Sequence, residues 1–198
     1  MGKILFTSDT HFGHDRDFIY EPRGFKSWIE NGEEIVKRWN EKVSNGDTVY
    51  HLGDVMLGKD NEEQALEWIS KLKGDIKLVI GNHDSDARVK TFIEKCKNIE
   101  VLGYAHMIKE SGWTFYLSHY PTLTINGADS NSFKKTMVNN LFGHTHQSFK
   151  GFYDYGNQAN YGNMMHVGVD SSNCYPVELS EVIDFLKMVR AENTIYEK

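Results

Sequence analysis

The chain has 198 residues, 39% hydrophobic and 25% charged, which suits one domain with a sizeable core and excludes a disordered or fibrous class. A net charge of -6 and a pI near 5.8 set the whole-molecule field against a long nucleic acid, while leaving small phosphate esters open to a local cationic centre. Two cysteines and the absence of any run of about 20 apolar residues argue against a disulfide scaffold and a membrane span, so a cytoplasmic location is expected.

The first residues, Met1 to Phe6, are too short an apolar run for a signal peptide, and Phe6 stands where a myristoylation signal requires Ser or Thr. A strand is predicted over Lys3 to Ser8. Ile29, Ile35, Val36, Trp39 and Val43 then recur at helical spacing, with Glu and Lys on the other face. A second strand follows over Thr48 to Leu52. Asp60 reads as an N-cap with Glu63 three residues on, and Ala65, Leu66, Ile69 and Leu72 form the apolar stripe of a helix that Gly74 stops. A strand over Ile76 to Ile80 and a short helix over Ala87 to Cys96 complete the first half.

In the second half, Ala105 to Lys109 and Trp113 to Ser118 flank Glu110-Ser111-Gly112, a hairpin signal. Strands follow at Asn140 to Phe142 and Met165 to Val169. From Ser180 as N-cap, Val182, Ile183, Phe185, Leu186 and Val189 mark a docked helix. Alternation of strands with helices predicts an α/β domain over 1–198. Three loop-rich stretches, Phe12 to Ser27, Thr124 to Lys135 and Gly151 to Asn163, are long enough to be functional rims.

The polar residues that carry chemistry stand just past apolar strands: Asp9-Thr10-His11, Gly53-Asp54, Gly81-Asn82-His83-Asp84, His119 and Gly143-His144-Thr145-His146. In open α/β sheets the C-terminal strand ends are where ligands bind. One-residue spacing puts Asp9 with His11, and His144 with His146, on the same side of extended backbone. Glycines before Asp54, Asn82 and His144 permit close approach. Four imidazoles, two carboxylates and an amide oxygen exceed one tetrahedral ion but suit two ions sharing a carboxylate; the donor mixture points to Mn, Fe, Zn, Ni or Co without choosing among them, and manganese is the expected metal. A two-metal site serves in-line displacement at phosphorus.

In order and spacing, these five groups resemble the motifs of the calcineurin-like metallophosphoesterase superfamily, over roughly residues 3 to 170. The resemblance implies a four-layer α/β/β/α sandwich, two mixed sheets flanked by helices. It implies a first metal on Asp9, His11, Asp54 and His146 and a second on Asp54, Asn82, His119 and His144, with Asp54 as the bridge. It further implies phosphate mono- or diester hydrolysis by a metal-bridging hydroxide, with His83 as proton donor and Asp84 holding its ring. The run Gly53-Asp54-Val55-Met56-Leu57-Gly58 lacks the arginine of the protein-phosphatase branch, so the better likeness is to small bacterial or phage phosphoesterases beginning Asp-Thr-His-Phe-Gly-His.

In such proteins an arginine follows the first motif, and Arg23 is its counterpart here. Arg16 and Arg23 are candidate phosphate clamps, and His14 either reaches the metal mouth and substrate or is a solvated loop residue. His51 reads as a satisfied core or supporting histidine, His106 as structural, and His166 and Asp170 as sheet packing before any contact with the site. Tyr153, Tyr155 and Tyr161 are either rim aromatics that stack on a base or sugar, or loop packing. The expected substrate is a small phosphate ester, a nucleotide among the candidates. A non-catalytic metal-binding scaffold of the same fold, and a two-metal hydrolase of amide bonds, are the alternatives.

Overall fold

The structure is a computed structural model that describes residues 2–124, 137–151, 153–154, 159–160 and 162–196. Five strands form the first sheet, in spatial order β11-β1-β2-β3-β4: β1 is Ile4–Thr7, β2 Thr48–His51, β3 Asp75–Val79, β4 Ile99–Gly103 and β11 Val177–Glu178. The inner strands run parallel, and β11 pairs antiparallel with β1 through Leu5↔Glu178 and Phe6↔Val177. The second sheet has the order β10-β7-β6-β5: β5 is Ala105–Glu110, β6 Trp113–Ser118, β7 Val138–Phe142 and β10 Met164–His166. There β6, β7 and β10 are parallel and β5 is antiparallel to β6. A small hairpin joins β8, Tyr153–Asp154, to β9, Ala159–Asn160.

Parallel strands need crossovers, and helices supply them. Helix α1, Asp17–Tyr20, and α2, Trp28–Lys42, connect β1 to β2; α3, Glu62–Ser70, connects β2 to β3; and α4, Asp86–Lys95, connects β3 to β4. Ser27 caps α2 by accepting from the Glu30 N–H, and Ile35 and Trp39 lie on the buried face. The terminal helix α5, Leu179–Tyr196, leaves β11 directly and packs against β11, β1 and β10.

Strand periodicity divides the core in two. Leu5, Val49, Ile76 and Leu78 face Ile35, Trp39, Ile69 and Phe92 of the helices. Phe6, Leu52 and Val79 face the other way, against Phe115, Leu117, Leu141 and Met165 of the second sheet and Val182 and Leu186 of α5. Two mixed sheets packed through an apolar layer and flanked by helices are the expected architecture.

The differences from expectation are local. Asp60 does not cap α3; the N-cap position is Asn61, whose amide instead donates to the Gly13 carbonyl at 2.9 Å. Strands β4 and β11 had no sequence signal: β4 alternates with exposed Glu100, and β11 is two residues long. Helix α1 lies inside the predicted 12–27 loop. The β5–β6 turn places Ser111 at φ 50° and Gly112 at φ 79°, the double left-handed turn that suits strand twist. The 124–135 stretch, apart from Thr124, and Tyr155 and Tyr161 lie outside the described residues.

Candidate metal centre

The C-terminal ends of both sheets meet along one seam. Strands β1, β2 and β3 deliver Asp9 and His11, Asp54, and Asn82; strands β6 and β7 deliver His119, and His144 with His146. Two close approaches make this convergence possible. A Cβ on Gly81 would lie 2.3 Å from Asp54 Oδ1, and one on Gly143 would lie 2.4 Å from Asp9 Oδ2, so only glycine fits at either point. Asp9, His11, Asp54, His144 and His146 all adopt positive φ, between 47° and 67°. Strain gathered on five chemically reactive residues is characteristic of a functional site.

Hydrogen bonding fixes which ring nitrogens are bare. His119 Nδ1 lies 2.8 Å from the Leu52 carbonyl, which can only accept, so the proton of the neutral ring is on Nδ1. Its Nε2 lone pair then faces Asn82 Oδ1 at 2.8 Å and Asp54 Oδ2 at 3.3 Å, and Asn82 Oδ1 lies 2.9 Å from His144 Nδ1. In the same way His146 Nδ1 donates to Asp170 Oδ2 at 3.1 Å, leaving Nε2 to face His11 Nε2 at 3.1 Å and Asp9 Oδ1 at 3.8 Å. Asp54 Oδ2 stands between the two groups, 3.7 Å from His11 Nε2. Converging lone pairs repel one another unless a cation lies among them.

Donor atoms of Asp9, His11 and His146 lie within 4.8 Å of one another, as do those of Asp9, Asp54 and His119. The residues therefore fit divalent ions in chemistry as well as in spacing. Protonation responds to the same crowding. Burial lowers the His11 pKa well below its ordinary value, and the His146 and Arg23 charges lower it further. Burial would lower His119 and His146 as well, but in their doubly protonated forms the rings donate to Asp54 and Asp170 respectively, which reverses this and raises both. Burial would raise the Asp54 carboxyl, yet its His119 hydrogen bond and neighbouring imidazole charges hold it well below the usual range.

The supporting residues are not all where sequence placed them. Asp84 does not touch the His83 ring: Oδ2 accepts the N–H groups of Asp54 at 2.7 Å and Gly81 at 2.9 Å, and Oδ1 accepts that of Val55 at 3.1 Å. It pins the β2 and β3 termini together. His83 is half-exposed, with Nε2 4.0 Å from Asp54 Oδ2 and its N–H donated to Asp54 Oδ1 at 2.8 Å.

Arg23 is turned inward, its side chain 2% exposed, so it offers no free fork to a dissolved phosphate. Its Nε and Nη2 bind the Asp170 carboxylate at 2.8 and 3.2 Å, and Nη2 also donates to the Asp9 carbonyl at 2.8 Å. Asp170, read from sequence as sheet packing, thus links Arg23 to His146. The signal for it was present: Asp170 stands just past a predicted strand, like every other candidate ligand.

We expect Arg23→Lys to weaken metal binding by about 10- to 100-fold and to lower the thermal stability of the metal-free protein, because one ammonium cannot serve both Asp170 oxygens and the Asp9 carbonyl. Metal titration and thermal denaturation check this; a raised KM with both properties unchanged would make Arg23 a substrate clamp after all.

The cleft at the centre has a volume of about 480 Å³ and is walled on one side by Phe18, Ile19 and Leu57. His14 enters it, its ring 5.5 Å from that of His11 and edge-on to Phe18, and burial with the nearby His83 and Arg16 charges pushes its pKa down to about 4. Arg16 lies on the rim of an adjoining hollow rather than in the cleft. His51 is a core histidine, stacked on Trp39 with Nε2 3.1 Å from Thr10 Oγ1, while its buried Nδ1 has no hydrogen-bond partner among the described residues. No helix among the described residues is long and apolar enough to cross a membrane.

Comparison with known proteins agrees with this geometry. The sequence model of the calcineurin-like phosphoesterase superfamily domain matches residues 3–167. An uncharacterized protein of Methanocaldococcus jannaschii is 29% identical over 195 residues, 98% of this chain and 97% of that protein. The gene 66 protein of Mycobacterium phage L5 is 38% identical over 86 residues, 42% of this chain and 41% of that protein. The crystal structure of an Aquifex aeolicus protein of unknown function superposes with a TM-score of 0.70 at 24% identity, covering 93% of this chain and 99% of that one, and so shares the fold.

Proposed function

The chain belongs to the calcineurin-like phosphoesterase superfamily, and from that premise we propose that it hydrolyses phosphate mono- or diesters at a centre of two divalent cations. The observation that carries this reading is the pair of lone-pair clusters on either side of Asp54 Oδ2. Asp9, His11, Asp54 and His146 would hold one ion, and Asp54, Asn82, His119 and His144 the other. When bound, such ions supply Lewis-acid polarisation of the phosphoryl oxygens and lower the pKa of water. An oxygen and imidazole donor set without thiolate admits Mn, Fe, Zn, Ni or Co, of which we propose manganese.

The remaining work falls to the chain. His83, half-exposed beside the cleft, would present a ring proton to the departing ester oxygen, which must be protonated when it leaves as an alkoxide. Asp84 supports this indirectly: by gathering three N–H groups it sets the turn from which His83 and Asn82 project. The Arg23–Asp170–His146 chain holds the His146 ring in the tautomer that keeps Nε2 bare. Phe18, Ile19 and Leu57 give the cleft an apolar lining.

The test is reconstitution. Protein stripped by chelation should be inactive, and adding Mn, Fe, Co, Ni or Zn should restore turnover of an aryl phosphate or a bis-aryl phosphodiester with two ions bound per chain. Two bound ions with no turnover of either ester would indicate a metal-binding scaffold, and failure to bind any of the five would remove the centre itself.

A further inference from the structure

A second hollow of about 400 Å³ opens beside the cleft, and the two share His14 and Leu57 as a common wall. Arg16, Lys59 and Arg88 converge on it from three different segments: the turn before α1, the loop after β2 and the first turn of α4. None of these cations forms an ion pair among the described residues; Arg16 donates to the Asp15 carbonyl and Arg88 to the His83 carbonyl, each a contact with backbone. Asp15 and Asp60 also stand on the rim, outnumbered by the cations.

This is an unusual concentration in a chain with 22 basic and 28 acidic residues. Asn61, the N-cap position of α3, forms part of the wall, so the amino terminus of α3, whose first turn also carries Glu62 and Glu63, borders the hollow. Two guanidinium groups and an ammonium converging on one concavity match a phosphate.

Resting on the reading of the cleft as a phosphoesterase site, we propose that the hollow is a subsite for a second phosphate, and that the substrate is a small organic bisphosphate. One phosphate would sit at the metal centre and the other among Arg16, Lys59 and Arg88. The spacer between them would pass over His14 and Leu57, with the half-apolar Phe18 wall alongside. The contact between Arg88 and the His83 carbonyl ties the second subsite to the residue proposed as proton donor.

Alkane-diol bisphosphates of two to six carbons, each compared with the alkyl monophosphate of the same length, isolate the effect of the second phosphate. At the best spacer length the bisphosphate should exceed the monophosphate in kcat/KM by roughly tenfold or more, the effect of one or two charge-assisted hydrogen bonds. The advantage should shrink as salt screens it. The double variant Arg16→Gln, Lys59→Gln should bring the ratio close to one, its loss on the bisphosphate exceeding its loss on the monophosphate by the same roughly tenfold factor. A ratio near one in the unmodified protein at every spacer length, or a ratio that survives in the variant, overturns the subsite. If the unmodified protein turned over no phosphate ester, the function proposed above would fall, and calorimetric titration of the same pairs would decide the subsite alone: tighter binding of the bisphosphate, lost in the variant, supports it, and equal binding overturns it.

Discussion

Asp54→Asn is expected to deplete both metal positions together and to lower ester turnover on the order of 10²- to 10³-fold or more. The substitution is nearly isosteric, and Asn can keep the contact in which Oδ1 accepts the His83 N–H, so the turn should survive. What disappears is the negative charge of Oδ2, the one atom placed between His11 on one side and His119 on the other. Metal analysis of the purified variant reads this directly. Two tightly retained ions would remove Asp54 from the bridging role, and loss of one alone would make it a terminal ligand. Asp84→Asn should give a weaker version of the same depletion, since an amide nitrogen placed under the N–H groups of Asp54 and Gly81 would push apart the termini that carry the ligands.

His83→Asn should leave metal content unchanged and cost on the order of 10²- to 10⁴-fold in turnover of esters with an alkyl leaving group. A nitrophenolate departs without a proton, so an activated aryl ester should suffer far less, and the ratio of the two losses is the diagnostic. Equal losses would mean that the ring positions phosphate instead. Because Asp84 does not touch the ring, Asp84→Asn should show no such leaving-group bias beyond its effect through the metals.

The candidate ligands were legible because each stands at a strand end, where the apolar run that makes the strand stops and a polar residue begins. Asp9, Asp54, Asn82, His119 and His144 could be placed by that rule before any coordinates. The partners of Asp84 and Arg23 could not. The family resemblance implied that Asp84 holds the His83 ring, but a carboxylate in a tight turn finds backbone N–H groups nearer than the next side chain. Arg23 read as a phosphate clamp because sequence carries its charge and not its burial; its partner is 147 positions away. Strands β4 and β11 were missed for a related reason: in β4 the apolar Ile99, Val101 and Leu102 are divided between the two core layers and broken by exposed Glu100, which leaves no clean alternation, and a two-residue strand leaves too short a pattern to read.

The division of ligands across the seam has its own consequence. All the oxygen donors, Asp9, Asp54 and Asn82, come from the first sheet, and three of the four imidazoles come from the second. Neither sheet alone carries a complete proposed set for either ion, so a bound ion would act as a rivet through two plates that are also joined by the apolar layer of Phe6, Leu52, Phe115 and Leu141 and by polar contacts such as His119 Nδ1 to the Leu52 carbonyl. The thickness of that layer is the gauge to which the rivet is cut. On the proposed reading, a methylene added or removed there would reset the span the ions must bridge, and the selectivity of the centre for one ion radius over another would be written partly in the packing of residues that never meet a metal.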